Sequence, residues 1–479
     1  MATTSSIDAI LSLSKRKGFV FQSSEIYGGL NGCWDFGPLG VELLRNIKDS
    51  WWKAMTYRDD IVGLDASILM HPRVWEASGH VGQFSDPMID NKTSKARHRA
   101  DNLIEDYIGR LRTKGKSADA DKVEAALAAA SSNDDLYRII VDNAIPDPVS
   151  GTTDWTEVRN FNLMFETHVG PVADASSTVY LRPETAQGIF VNFKNVMDAS
   201  RLKPPFGIAQ IGKSFRNEIN TKNFLFRTRE FEQMEMQFFI KPGSEDEWFE
   251  YWRQERWNWF LSLGVSQDKL RRKPHERLAH YAKAAEDIEF AFPFGWGEVE
   301  GIHSRTDFDL GRHQEYSGKK LEFVDTVTKD RYTPYVIETA VGATRTFMAV
   351  LCNAYEEETI TAEDGTTDQR VVLRFAPHLA PVSAAVFPLV NKDGMPEAAT
   401  AIYTSLRKSF RVDYDTSGAI GRRYRRQDEV GTPFCITVDG QTISDGTVTI
   451  RDRDTMTQER VSADALDEII RRRLQHSSR

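Results

Sequence analysis

The chain has 479 residues, and its 61 Lys and Arg against 70 Asp and Glu give a formal net charge of -9. A composition that is 40% hydrophobic and 11% aromatic excludes a disordered or collagen-like chain, and the length suggests about two to four domains. No apolar run reaches the roughly 18 residues of a membrane helix, and the polar, soon basic N-terminus is unlike a signal peptide. Three separated cysteines, Cys33, Cys352 and Cys435, offer no disulfide framework, so we expect a protein of the reducing cytoplasm.

The first predicted elements are helical. Val41–Met55 carries apolar side chains at helical spacing: Leu43, Leu44, Ile47, Trp51 and Met55. Residues 91–160 contain an alanine-rich helical stretch and few strand signals. We interpret them as a helical insertion into a larger domain.

Ile208–Phe239 predicts a long antiparallel hairpin, because two alternating segments flank a short polar loop (INTKN). One face combines arginines and carboxylates with Phe231. Such a face is either a solvated surface with salt bridges or a nucleotide site. The second reading is chemically reasonable because guanidinium groups bind phosphate bidentately and an aromatic ring can stack on adenine.

Two short motifs in the centre of the chain resemble well-known sequence patterns but lack the structural context or the spacing that those patterns require. Gly207–Ser214 fits the phosphate-loop pattern G-x-x-x-x-G-K-[ST], but a strand-like alternation follows where that loop requires a helix. His275 and His280 resemble a zinc-protease pair, but they are five residues apart instead of four. We therefore predict a strand at the first motif and no metal site at the second.

The last third of the chain predicts a core helix and a small α/β domain. Trp248, Trp252 and Trp259 have helical spacing and are expected to pack against the sheet. The acidic stretch EEETITAEDGTTDQR predicts a linker or exposed loop, with a domain boundary near residue 368. Beyond it, RVVLRFAP and TPFCITV read as strands, and PEAATAIYTSLRKSF and SADALDEIIRRRL as helices, the second capped by Ser462.

Several of these segments resemble one family. FRNE (Phe215–Glu218) followed by FRTREF (Phe226–Phe231) resembles motif 2 of class II aminoacyl-tRNA synthetases, and Gly342–Arg345 before an apolar helix resembles motif 3. Further segments are similar to glycyl-tRNA synthetases of the homodimeric type, including their motif 1 region and anticodon-binding domain: Gly37–Met55, Leu181–Val196, His280–Ile302, Arg305–Leu310, Val336–Arg345 and Gly421–Val438. The resemblance covers nearly the whole chain except the middle of the insertion.

The resemblance implies an α/β fold of the α+β type. A class II catalytic domain over residues 1–368 would have an antiparallel sheet flanked by helices, with the insertion at about 91–160. A mixed α/β anticodon-binding domain would follow over residues 369–479. The implied activity is ATP-dependent conversion of glycine to glycyl-adenylate and its transfer to the 3′ end of tRNA(Gly), by a cytoplasmic homodimer with no membrane partner. The alternative is a non-catalytic, synthetase-like protein that only binds nucleic acid, and the retained ATP-site residues argue against it.

The resemblance also implies roles for individual residues. Arg216 and Arg345 would be catalytic, binding the α- and γ-phosphates. Glu218 would meet the adenine edge, Phe231 would stack on the ring, and Glu298 would lie near Mg²⁺. The complete ATP set would be Arg216, Asn217, Glu218, Phe226, Arg227, Phe231, Glu298, Val299, Gly342 and Arg345. Glycine would be bound by Arg99, Glu184, Glu235, Glu338 and Gly342, and tRNA by Arg422, Arg423, Tyr424, Arg425 and Arg426.

Two positions depart from the family pattern. Ala340 stands where many relatives have Ser, which removes a hydroxyl contact to the substrate. Asn91 and Ser94 stand where some relatives have a Cys-x-x-Cys pair, and these residues cannot form a thiolate zinc site. The expected cofactors are therefore ATP and Mg²⁺ without zinc, and no metal is predicted to reside in the protein itself.

Overall fold

A computed structural model provides the coordinates and describes residues 6–171, 177–221, 223–275, 278, 282–325, 327–361 and 367–475. Within those residues the α-helices are α1 (Ile7–Lys17), α2 (Pro38–Thr56), α3 (Pro72–Ala77), α4 (His80–Gln83), α5 (Ala100–Thr113), α6 (Ser117–Ala129), α7 (Asn133–Asp142), α8 (Ala186–Ser200), α9 (Glu245–Ser262), α10 (Phe308–Ser317), α11 (Ala343–Ala354), α12 (Met395–Leu406), α13 (Ile420–Asp428), α14 (Gly440–Asp445) and α15 (Leu466–Gln475). None of these helices combines the length and the apolar character needed to cross a lipid bilayer.

The strands of the described residues are β1 (Val20–Gln22), β2 (Trp34–Phe36), β3 (Ile61–Gly63), β4 (Ser85–Asp90), β5 (Arg97–Arg99), β6 (Arg159–Asn162), β7 (Glu166–His168), β8 (Thr178–Tyr180), β9 (Phe206–Phe215), β10 (Glu230–Ile240), β11 (Leu270–Pro274), β12 (Ala284–Phe292), β13 (Gly295–Thr306), β14 (Phe323–Val324), β15 (Arg331–Tyr332), β16 (Tyr335–Gly342), β17 (Tyr355–Thr361), β18 (Thr367–Leu373), β19 (Ala384–Pro388), β20 (Val412–Tyr414), β21 (Phe434–Val438), β22 (Thr447–Asp452) and β23 (Gln458–Ser462). The chain forms two compact units. The first unit comprises Met1–Ile68, Glu184–Ser214 and Thr221–Arg479, and the second comprises Leu69–Pro183 and Phe215–Asn220.

A seven-stranded sheet organises the first unit, in the order β11-β12-β13-β16-β10-β9-β3. The predicted hairpin is confirmed, since β9 and β10 are neighbours, but its connection is longer than the sequence suggested. Arg216, Glu218 and Arg227 lie in that connection and not on strand faces, because β9 ends at Phe215 and β10 begins at Glu230. The strand predicted at the phosphate-loop-like motif is confirmed, since the whole motif lies within β9 and no helix follows it directly among the described residues.

Two predicted helices are confirmed, and core packing had been predicted for the second of them. The five apolar residues predicted for α2 are at most 4% exposed and belong to the core of the first unit. Helix α9 buries Trp252 and Trp259 in the same core, and Trp248 packs against it partly buried. Apolar side chains at helical spacing thus covered one side of the sheet, as the pattern indicated.

The C-terminal α/β region is confirmed in its elements and corrected in two details. Its five-stranded sheet has the order β20-β19-β21-β22-β23, and α12 packs on it. The acidic stretch predicted as a linker or loop is instead largely the antiparallel pair β17–β18, so residue 368 lies inside a strand. Ser462 makes no side-chain capping bond and precedes a short 3₁₀ helix, Ala463–Ala465, before α15 begins.

The second unit contains the predicted helical stretch. Helices α5, α6 and α7 surround a separate apolar core that includes Ile104, Ile140 and Trp155. A three-stranded sheet, β5-β4-β6, was not predicted. Its strands are short and rich in charged and polar residues, so they carry little of the alternation that identifies a strand.

Candidate active site

The register of the main sheet gathers polar residues in two rows on one face. One row is Ala285, His303, Glu338 and Gln237, and the next is Asp287, Gly301, Ala340 and Glu235. Residues paired across antiparallel strands share a face, and so do residues two positions apart along a strand. The pairing therefore brings Glu235 and Glu338 together, although they are about 100 positions apart in the sequence.

The three carboxylates predicted to bind glycine lie in one buried cluster, which we call the carboxylate pocket (Glu184, Glu235 and Glu338). Gln237 Nε2 donates to Glu235 Oε1 at 2.9 Å and to Glu338 Oε2 at 2.7 Å. Glu235 and Glu338 are only 2% and 4% exposed. Glu184 lies just before α8 and accepts a hydrogen bond from Gln187 at 2.9 Å, and its charge acts on Glu235.

Arg305 completes the pocket, and the sequence did not predict its role. Its Nη1 donates to both oxygens of Glu338, at 3.2 and 3.0 Å. Its Nε and Nη2 bind the two oxygens of Asp309 at 2.7 and 3.0 Å, and Asp309 accepts from Gln187 at 3.1 Å. The only available signal was its position in RTDFDL, one of the segments that resemble the family.

The two central carboxyl groups differ in charge. Burial and the charges of Glu338 and Glu184 raise the pKa of Glu235 well above its ordinary value. Burial also acts to raise the pKa of Glu338, but the charge of Arg305 and the contact with His303 outweigh it and hold that pKa below its usual range. Without a bound cation, Glu338 therefore favours its ionised form, and Glu235 favours its protonated form more than an ordinary carboxyl group does. A cation entering it would favour ionisation of Glu235.

A second cluster in the first unit contains three residues predicted to bind ATP: Phe226, Glu298 and Arg345. Arg345 lies in the first turn of α11, and its Nη1 donates to Glu298 O at 3.0 Å and lies 3.2 Å from Glu298 Oε2. Its Nε donates to Phe226 O at 3.0 Å, and its guanidinium lies 4.4 Å from the centre of the Phe226 ring. Phe292 and Phe294 support that ring edge-on. A guanidinium facing an aromatic ring provides two surfaces on which a purine can stack.

Three other predicted ATP residues of the first unit have different surroundings. Val299 is 1% exposed in the apolar core, so its side chain faces other core residues. Gly342 ends β16 and is the N-cap of α11. Phe231 lies on β10 and is half-buried, and its stacking role stays a prediction.

Arg216 and Asn217 belong to the second unit. Arg216 Nε donates to Pro183 O at 3.1 Å, and the guanidinium lies 5.4 Å from the centre of the Phe84 ring. The backbone N–H of Asn217 donates to Leu163 O at 2.7 Å. The backbone around Arg216 is thus held in place, and its role at the α-phosphate stays a prediction.

Arg99 and Glu218 also lie in the second unit. Arg99 pairs with Asp86 at 2.8 Å and with Asp101 at 2.5 Å, and the charge of Glu218 acts on it. The hydrogen bond that Arg99 donates to Asp101 raises the pKa of Arg99 and outweighs the lowering caused by burial. Arg99 is therefore a fixed positive charge beside Glu218.

The predicted tRNA-binding residues lie on α13 with unequal exposure. Arg422 is exposed, whereas Arg423 is only 3% exposed. Arg423 donates to Pro388 O at 2.5 Å and to Gly418 O at 2.7 Å. Tyr424 shares a hydrogen bond with Thr437 at 2.6 Å. Arg423 therefore points into the protein, because consecutive helical residues cannot all point outward, and tRNA binding by these five residues stays a prediction.

Asn91 and Ser94, which stand in place of a cysteine pair, form a hydrogen-bonded turn. Asn91 Oδ1 accepts from the backbone N–H groups of Thr93 and Ser94, both at 3.0 Å, and from Thr152 Oγ1 at 3.1 Å. His275 lies 2.9 Å from Asp287, between Nε2 and Oδ2. His280, for which no metal site with His275 was predicted, is outside the described residues.

Three sequence models of protein families match the chain. The tRNA synthetase class II core domain (G, H, P, S and T) matches residues 166–354, and the anticodon binding domain matches residues 383–473. The glycyl-tRNA synthetase insertion domain 1 matches residues 86–124 and 115–163. The first two correspond to the main sheet with its helices and to the C-terminal α/β region.

Curated relatives match the chain over nearly its full length. It is 56% identical over 474 residues to the glycine–tRNA ligase of Chlorobaculum tepidum, covering 98% of this chain and all of that one. It is 53% identical to the glycine–tRNA ligase of Treponema denticola, covering 95% of this chain and 94% of the relative. A crystal structure of prolyl-tRNA synthetase from Cryptosporidium parvum, complexed with halofuginone and AMPPNP, has the same fold with a TM-score of 0.62 at 13% identity, over 100% of this chain and 80% of that one.

Proposed function

The chain belongs to the glycine–tRNA ligase family of class II aminoacyl-tRNA synthetases, and from that premise we propose how its residues carry out the reaction. The activity is ATP-dependent activation of glycine to glycyl-adenylate, followed by transfer to the 3′ end of tRNA(Gly). In the first step a carboxylate oxygen of glycine attacks the α-phosphorus and pyrophosphate leaves. In the second step a ribose hydroxyl attacks the glycyl carbonyl and AMP leaves.

Recognition of glycine depends on the buried pair Glu235 and Glu338, and this observation carries the proposal. Glycine has no side chain, so its ammonium is the main group that the protein can recognise. The ammonium has three N–H donors, and Glu184, Glu235 and Glu338 offer carboxylate acceptors. A bound ammonium supplies positive charge beside Glu235 and so favours its ionised form. Arg305 and Gln237 hold Glu338 in place.

ATP binding is assigned to the arginines and to Phe226. Arg216 is proposed at the α-phosphate and Arg345 at the γ-phosphate, with adenine stacked on Phe226 or Phe231. The Glu298 side chain is about half exposed, and one carboxylate together with substrate phosphates is a usual way to hold Mg²⁺. The ion would neutralise phosphate charge. Positioning and charge neutralisation suffice for this chemistry, so no general base is needed.

The exposed Arg422 of α13 is proposed as a phosphate contact to tRNA. Arg422→Ala is expected to raise the KM for tRNA a few-fold without changing glycine activation, because one phosphate contact is lost. The slope of log affinity for tRNA against log salt concentration should also fall by about one, because about one counterion fewer is released on binding. The measurement is tRNA binding across a salt series. The exposed Lys408→Ala is the control, and equal salt slopes for Arg422→Ala and wild type would contradict the role.

A homodimer in the cytoplasm is proposed as the working form. Ile26 and Tyr27 are each 88% exposed and Leu30 is 55% exposed, although all three are large apolar side chains. Large apolar side chains exposed so close together in the sequence favour burial against a second copy of the chain. The three cysteines are all unpaired thiols, which agrees with a reducing compartment.

Glycine-dependent ATP–pyrophosphate exchange tests the proposed pocket. Glu338→Gln keeps the shape of the side chain and removes its charge, so kcat/KM for glycine should fall about 10- to 100-fold, the loss expected from a charged hydrogen bond. Glu250→Gln is the matched control, since the Glu250 side chain is 61% exposed on α9. Equal exchange in both variants would remove the assignment of Glu338. Absence of exchange in the wild-type protein would instead revive the non-catalytic alternative.

A further inference from the structure

Three metal-ligating side chains meet beside the carboxylate pocket: His275, Asp287 and His303. One ligand atom from each lies within 4.8 Å of the others. The closest described pair is His275 Nε2 and Asp287 Oδ2, at 2.9 Å. Two imidazoles and one carboxylate are a common ligand set for divalent transition metals.

The sheet register fixes these three residues relative to one another. His275 directly follows β11, and its backbone N–H donates to Ala285 O at 3.0 Å, two residues before Asp287. Asp287 on β12 is paired with Gly301 on β13, two residues before His303. The ligands thus come from three adjacent strand positions on a rigid sheet, which suits a precise site.

Gly301 provides the space that the cluster occupies. A Cβ atom at this position would lie 2.7 Å from His303 Cε1 and 3.6 Å from Asp287 Oδ1. Any side chain here would therefore displace the His303 ring. The absence of a side chain in the middle of β13 lets the imidazole lie over the backbone next to Asp287.

A carboxylate lies beside Nδ1 of His303, in the place of the outer partner that metal-bound histidines commonly have. Its Nδ1 lies 3.1 Å from Glu338 Oε1. A histidine that ligates a metal usually donates its other ring N–H to a carboxylate, which fixes the tautomer and the ring orientation. With Nδ1 directed at Glu338, Nε2 is the nitrogen that a metal would take.

The electrostatic surroundings favour a cation. The side chains of Asp287 and His303 are only 15% and 17% exposed. The charge of Glu298 acts on Asp287, and Glu338 lies 3.1 Å from His303, so two further carboxylates lie near the three ligands. His275 is 30% exposed, so an ion has a route from solvent.

We propose that His275, Asp287 and His303 bind one divalent transition-metal ion, with Zn²⁺ preferred, in a three-ligand site whose fourth position is left to water. The sequence had predicted no resident metal, because it compared His275 only with His280. Asp287 and His303 are brought to His275 by strand pairing and not by sequence spacing. The assignment does not depend on how glycine is bound.

Metal titration of the full-length protein tests the site after treatment with a chelator. Calorimetry with Zn²⁺ should give one ion per chain, and Co²⁺ should give the visible absorption of a four-coordinate site. His303→Ala and Asp287→Asn should each lower the Zn²⁺ affinity at least about 10-fold. His168→Ala, at an exposed histidine of β7, is the matched control and should bind Zn²⁺ like wild type.

A further variant separates loss of a ligand from loss of fold. Gly301→Ala keeps all three ligands but displaces the His303 ring, so it should also weaken Zn²⁺ binding, and circular dichroism in chelator should match wild type for each variant. The site is overturned if wild type binds no stoichiometric Zn²⁺ or Co²⁺. It is equally overturned if His303→Ala and Asp287→Asn, with native dichroism, bind as tightly as wild type, since the ion would then lie elsewhere on the surface.

Discussion

At the scale of single residues, the pH behaviour of the glycine site depends on Glu235. Burial and two neighbouring carboxylates raise its pKa, so the folded protein binds a proton that the unfolded chain releases near pH 4.5. Stability from this group is fully present below the ordinary carboxyl pKa and is lost as the pH rises through the raised value. At neutral pH the empty pocket is therefore a source of instability, which a bound ammonium relieves.

Replacing Glu235 with Gln tests this directly. Glu235→Gln should be more stable than wild type at pH 8 in the absence of glycine, and the difference should shrink toward pH 5, where wild-type Glu235 holds its proton. The same variant should lose glycine-dependent exchange. The measurement is thermal unfolding at both pH values, with the exposed Glu250→Gln as control. Parallel unfolding curves for Glu235→Gln and wild type at both values would show that Glu235 does not carry the extra proton.

The residues that sequence reasoning missed are those whose role exists only across strands. Glu235 and Glu338 could be proposed because their segments resemble the family. Gln237 bridges them only because β10 pairs with β16, and the sequence of β10 does not reveal which residue lies opposite. Arg305 was missed for the same reason, since its partners Glu338 and Asp309 define its role.

At the scale of elements, helix α9 is joined to the main sheet by a buried ion pair. Arg256 Nε donates to Glu300 Oε1 at 2.6 Å, and the two residues are 2% and 0% exposed. The Arg256 guanidinium also lies 4.4 Å from the Trp259 ring. Burial raises the pKa of Glu300, and the charge of Arg256 partly counters that rise. Removing either partner should therefore cost free energy of folding, because each charge is the main group that compensates the burial of the other.

Breaking one side of this pair should destabilise the protein more than replacing both sides. Glu300→Gln is expected to lower the free energy of unfolding by about 3–5 kcal/mol, because Arg256 is left as a buried unpaired charge. The double variant Arg256→Met, Glu300→Gln should recover part of that loss. Chemical denaturation of the two variants and wild type provides the comparison. A double variant less stable than Glu300→Gln would contradict this account.

Element boundaries were predictable where apolar periodicity was strong and were wrong where it was weak. Helix α2 has a continuous apolar stripe, and its buried residues matched the prediction. The acidic segment that became β17–β18 has few apolar side chains, so composition favoured a loop. Pairing between the two segments stabilises them as strands. Tyr355 is paired with Leu373, for example, and both residues are buried. Polar strands that pair only with each other are difficult to predict from the sequence pattern.

At the scale of the whole molecule, a buried charge network joins the β17–β18 hairpin to the anticodon-binding region. Asp428 is fully buried at the end of α13 and binds Arg451 at 2.9 Å and Arg370 at 3.0 Å. Arg370, from β18, also donates to Arg453 O at 2.6 Å. Arg453 Nη2 donates back to Phe375 O at 2.7 Å. The orientation of α13, with Arg422 on it, therefore depends on residues that precede the range 383–473 matched by the anticodon binding domain.

Asp428→Asn should separate the two steps of the reaction. It keeps the size of the side chain and removes the charge that compensates Arg370 and Arg451, so it should cost about 3–5 kcal/mol of stability. The loss is local to the β18–α13 contact, whereas Glu235, Glu338 and Arg345 lie on β10, β16 and α11, and Glu184 lies just before α8. Below the unfolding transition, tRNA charging should therefore fall about 10-fold while glycine-dependent exchange stays within about 2-fold of wild type. The tenfold loss corresponds to about 1.4 kcal/mol.

Asp393→Asn, at an exposed aspartate before α12, is the control and should change neither step. Equal losses in charging and exchange would mean that the network supports the catalytic sheet itself, since a defect confined to α13 cannot slow the step that needs no tRNA.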